Sequence, residues 1–86
     1  MSKPWRNLGP VSRQMLADAG IVTFAQLAQH GAVASYLLVK QGHPQATLNL
    51  LWALQGALDD LSWQQVAREQ RLSLLLQLEQ HVPPDG

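Results

Sequence analysis

Lys3, Arg6 and Arg13 all precede the first acidic residue, Asp18, so the opening seventeen residues carry +3 and the rest of the chain −3. The later cations bracket a turn, Asn7-Leu8-Gly9-Pro10-Val11-Ser12, that leads into a helical pattern. N–H groups at the start of a helix point outward unpaired and bind phosphate, and neighbouring cations add to that attraction. Lys3, Arg6, Gly9, Ser12 and Arg13 are therefore the candidate contacts to a nucleic-acid backbone. Neutralising about three phosphates gives weak, salt-sensitive binding without base readout. The competing reading is an N-terminal arm that is simply basic.

The remaining polar residues do not assemble a reaction centre. Asp59-Asp60 is the one adjacent carboxylate pair, and it stands just ahead of Ser62, where negative charge favours the next helix N-terminus. His30, His43 and His81 fall at helix ends or in loops, with no two at metal-ligand spacing. Ser12, Ser35, Ser62 and Ser73 read as caps or helix-surface residues, none with a histidine close in sequence. Trp5, Trp52 and Trp63 suit a core or an interface better than a base-stacking platform. Phosphate loops, dinucleotide glycine patterns and nucleophile elbows are missing, and the absence of cysteine excludes disulfides and thiolate metal sites. These residues point to a non-enzymatic binding domain, with no cofactor, no metal and no small-molecule substrate.

Eighty-six residues suffice for one core, so residues 1–86 are expected to form a single domain. Charged residues make up 14% of the chain, against about 25% in ordinary soluble domains. Glutamines such as Gln14, Gln41, Gln64 and Gln80 take over part of the solvated surface, and a partner is expected to cover some of the rest. No signal-peptide h-region follows Lys3, and no apolar run is long enough to span a membrane, so the expected compartment is the cytoplasm.

Helical spacing predicts an all-α fold of about five short helices. The first starts at Pro10, suited to a first helical position, and ends at Gly20. The second opens at Thr23, with Gln26 three residues on as a capping box, and stops at Gly31. The third runs from Ala32 to Gln41, before Gly42-His43-Pro44. The fourth covers Thr47 to Leu58. The fifth starts at Ser62, with Gln65 as a second capping box, and continues to His81. Residues 1–6 form a basic arm, and Val82–Gly86 is expected to fray.

The fourth helix carries a core stripe of Leu50, Leu51, Leu54, Ala57, Leu58 and Leu61, yet Leu48 and Trp52 lie on its other side. A helix apolar on two sides is either central to its domain or shared between protomers. Gly56, flanked by Ala53 and Ala57, offers a smooth patch for the close approach of another helix. Leu48, Trp52 and Gly56 are thus the candidate residues for a homodimer or protein-partner interface, with a fully surrounded core as the alternative.

The stretch Leu8-Gly9-Pro10-x-Ser12-x-x-x-Leu16-x-x-Ala19-Gly20-Ile21-x-Thr23-x-x-x-Leu27 resembles a helix-hairpin-helix segment, with one glycine in its first turn where two are usual. The longer series adds Gly31-Ala32-Val33, Tyr36, Asn49-Leu50-Leu51-x-Ala53-Leu54-x-Gly56-Ala57-Leu58 and Trp63. From about Trp5 to Leu78 it is similar to the C-terminal domain of the TfoX (Sxy) family of bacterial regulators. Members of that family control natural competence, acting with the cyclic-AMP receptor protein at promoters of DNA-uptake genes, and an N-terminal domain usually precedes this one. The resemblance implies a helix-hairpin-helix-like N-terminal half packed on two longer C-terminal helices, in a free-standing version of the domain. It also implies a role in transcriptional control, through weak DNA-backbone contact or a protein partner, and supplies no catalytic residues.

Overall fold

A computed structural model describes residues 6–81, which fold into five helices with no strand among them. Lys3 and Trp5 of the basic arm, and the expected frayed segment 82–86, lie outside the described residues. The helices are α1 (Pro10–Asp18), α2 (Phe24–Gly42), α3 (Leu48–Asp59), α4 (Trp63–Glu69) and α5 (Arg71–His81). The fold is all-α.

α1 begins with Pro10 in its first turn and hands over to α2 through Gly20, at φ 89°. Thr23 and Gln26 then form the full reciprocal box expected of them. The Gln26 N–H donates to Thr23 Oγ1 at 3.1 Å, and Gln26 Oε1 accepts from Thr23 N–H at 3.2 Å and from Val22 N–H at 2.8 Å. The run Phe24–Gly42 is two helices meeting at a kink, as expected over 24–41, because Gly31 between them takes a non-helical φ of 83° and ψ of 167°. That ψ suits an N-cap, and the positive φ suits glycine alone. Gly31 therefore ends one helix and opens the next, as its place in the sequence predicts. A correction comes at the C-terminal end, where the single helix expected from Ser62 to His81 breaks at Gln70 (φ −118°, ψ 6°). Val66 before the break and Leu74 after it are both in the core, 0% and 2% exposed. Ser62 caps its helix through Gln65 N–H at 3.2 Å, but the Gln65 side chain turns to Glu69, so only half of that capping box forms.

α3 packs chiefly against α2 on one side and α4 on the other. Leu50, Leu51, Leu54 and Ala57 are buried as the stripe predicts, and so are Trp52, Ala53 and Gly56. The helix is surrounded within one chain. Leu8, Leu16, Ile21, Leu27 and Val39 complete the core from α1, α2 and the segments before and between them. No helix among the described residues is long and apolar enough to cross a membrane.

His43 closes α2 and ties the α2–α3 loop to the end of α1 through Nε2 and Asp18 Oδ2, 3.1 Å apart. The hydrogen bond from Gln14, and then the one from His43, hold the Asp18 carboxyl below its ordinary value of 3.8. A depressed folded-state value stabilises the fold above the unfolded value, and that contribution is lost as the pH falls through the lower one. Asp18→Asn is thus expected to flatten the acid limb of a thermal-stability profile taken from neutral pH to about pH 3. Asp18 is well exposed, so the effect is small, and an unchanged acid limb would show that the contact contributes nothing.

Candidate functional site

The turn before α1 is held from behind by Asn7. This residue takes a left-handed φ of 70°, a conformation asparagine tolerates better than most side chains. Its Nδ2 donates to the Leu61 carbonyl at 2.7 Å, and its Oδ1 accepts from the Trp63 N–H at 3.2 Å. One side chain thereby clasps the start of the described chain to the α3–α4 corner. Gly56 leaves the space for it: a Cβ there would run into Asn7 Nδ2 and stand 2.5 Å from the Leu61 carbonyl oxygen. The close approach inferred at Gly56 is real, but the group approaching is the chain's own clasp. Leu61 N–H also returns to the Gly56 carbonyl at 2.8 Å, with Asp60 in the left-handed conformation between them.

Arg6 joins the same corner. Its Nη1 lies 3.1 Å from Asp60 Oδ1 and donates to the Asp60 carbonyl at 2.9 Å. Both side chains are well exposed, so the pair adds little to stability, but it answers the Arg6 charge with a carboxylate. The partner Asp59 is also engaged, its Oδ2 accepting from Gln55 at 2.8 Å and Gln70 at 3.2 Å. The acidic pair is spent on structure.

Beyond the clasp, Gly9 caps α1 in an extended conformation (φ −84°, ψ −176°) with no side-chain hydrogen bond. Its carbonyl accepts the Arg13 N–H at 3.0 Å. The N–H groups of Val11 and Ser12 have no acceptor among the described residues, and Pro10 has none to offer. Gly9, Pro10 and Arg13 are exposed, and Ser12 is half-buried. The structure thus places Gly9 at the N-cap of α1 and Ser12 and Arg13 in its first turn, pairs Arg6 with Asp60, and leaves Lys3 outside the described residues.

Next to this turn runs a groove of about 520 Å³, lined by Asn7, Val11, Ser12, Met15, Leu50 and Trp63 among others. Val11 is 74% exposed at its edge. Of the residues proposed for an interface with a second chain, Trp52 and Gly56 are buried within this one and Leu48 is half-buried against its core. Asn7 and Asp60 are the residues missed in the sequence. An asparagine just ahead of a glycine-proline turn was the available sign of a left-handed residue.

No group of three histidine, aspartate or glutamate side chains is placed to hold a metal among the described residues. No curated protein matches the chain, and no solved structure does. The model of the TfoX C-terminal domain, in contrast, matches residues 3–78, which takes in all of α1 to α4 and most of α5. The chain belongs to the TfoX C-terminal domain family.

Proposed function

We propose that this domain is a non-enzymatic accessory module in transcriptional control, of the kind that serves competence regulation, and that it touches the DNA backbone weakly through the turn before α1. The observation that carries this reading is the contrast between the two glycine turns of the N-terminal half. At the second, Thr23 Oγ1 takes the Gln26 N–H, and Gln26 Oε1 takes those of Val22 and Thr23. At the first, the Val11 and Ser12 N–H groups, next to Arg13 in sequence, have no acceptor among the described residues. A phosphate there would meet two backbone donors, the positive end of a helix and one unpaired cation.

Because Arg6 already has a carboxylate beside it, the contact involves fewer phosphates than the sequence suggests. With one to two neutralised, log K should fall against log salt with a slope of roughly −1 to −2. Fluorescence anisotropy with a labelled duplex at low salt is the direct measurement. The expected result is sequence-independent binding in the high-micromolar range or weaker, abolished by Arg13→Glu. Flat curves up to millimolar protein would remove the DNA contact. The second reading is a protein-interaction module without nucleic-acid contact, and the apolar groove beside Val11, Met15 and Trp63 favours it. In that case the anisotropy stays flat while the family role in regulation passes through a protein.

A further inference from the structure

α5 holds five leucines, but the core takes in only Leu74 fully; Leu75 and Leu78 are half-buried. Leu72 is 73% exposed and Leu76 52% exposed, one turn apart on the outward side. Two bulky apolar side chains in one row, bordered by a third, form a stripe and not scattered surface hydrophobes.

Charged residues flank that stripe, placed symmetrically about Leu75 at its half-buried border. Arg71 stands four residues before Leu75 and Glu79 four residues after it, so the row reads cation, leucine, anion at one-turn spacing. Each charge lies about 6 Å along the axis from Leu75. Both side chains are exposed, and neither has an ionic partner among the described residues. Glu79 also lies in the last turn of α5, where the helix dipole disfavours an anion.

We infer that the outward face of α5 is a self-docking surface, on which α5 of a second copy of this chain lies antiparallel across a two-fold axis near Leu75. In that arrangement Arg71 of each copy faces Glu79 of the other, and the leucine rows close between them. Each Glu79 then sits beside the N-terminal, positive end of the opposing helix. A parallel arrangement would set Arg71 against Arg71 and Glu79 against Glu79. The same patch meets itself, as a two-fold contact requires. This surface is separate from the turn before α1, so it stands or falls independently of DNA contact.

Sedimentation velocity of the full chain over a wide concentration range tests the assignment. The wild type is expected to show a concentration-dependent monomer–dimer equilibrium. Arg71→Glu alone and Glu79→Arg alone each place like charges across the axis, and each should weaken the dimer by about tenfold. The double variant R71E/E79R recreates both attractions with the signs exchanged and should return to wild-type association. Glu79→Arg puts a cation in the last turn, so a weakened dimer there cannot be blamed on a weaker helix. A wild type that stays monomeric at millimolar concentration overturns the inference. So does a dimer indifferent to either single reversal, or one that the double variant fails to restore.

Discussion

Gly56→Ala is expected to destabilise the domain by about 2–4 kcal/mol, although alanine is the better residue inside a helix by about 1 kcal/mol. The new methyl has two neighbours it cannot avoid, the Asn7 amide and the Leu61 carbonyl. The first can swing away, but only by giving up its hydrogen bonds to Leu61 and Trp63. The second is backbone, fixed by the bond from Leu61 N–H to Gly56 itself. Overpacking of this kind costs about 1–3 kcal/mol, and each Asn7 hydrogen bond lost adds about 0.5–1.5 kcal/mol. Together they exceed the gain in helix propensity. Urea unfolding is the measurement, and a raised midpoint would show that the clasp yields without cost. Gly56→Leu carries the same conflict further and should leave no folded protein.

Leu54→Ala should cost about 2–5 kcal/mol, the usual range for emptying a buried leucine site. Leu54 is 0% exposed, on the helix that both α2 and α4 pack against, so the surroundings have little freedom to collapse into the void. The comparison that makes the test sharp is Leu76→Ala on α5, where the same atoms are removed from a half-open site. At low protein concentration that change should stay within about 0.5 kcal/mol of wild type. Equal effects at the two positions would mean that the assignment of α3 as the centre of the fold is wrong.

Periodicity made the inner face of α3 legible: Leu50, Leu51, Leu54 and Ala57 are buried as their spacing predicts. It could not decide the outer face. A helix wrapped by its own chain and a helix shared between two chains show the same apolar residues, and only coordinates place Trp52 inside one chain. Punctuation was legible where it is chemical. Gly20, Gly31 and the Thr23–Gln26 box mark real features. The break at Gln70 has no glycine or proline to announce it, so spacing alone reads the two helices as one.

The candidate site was legible in part. The position of Gly9 at the N-cap of α1 and of Arg13 in its first turn depends on residues within a few positions of one another. The Arg6–Asp60 pair joins residues 54 apart, and local pattern carries no information about such a meeting. A charge count over the first seventeen residues therefore overstates the field at the turn.

The double attachment of Arg6 and Asn7 to the α3–α4 corner has a consequence for architecture. Any polypeptide joined ahead of residue 6 departs from one fixed address on the surface, a few residues from the open N–H groups of α1. With a short connection, its local concentration near that address is high without any contact of its own. Lengthening the connection dilutes it. Where a preceding domain can reach is thus written into an arginine and an asparagine that never need to touch it.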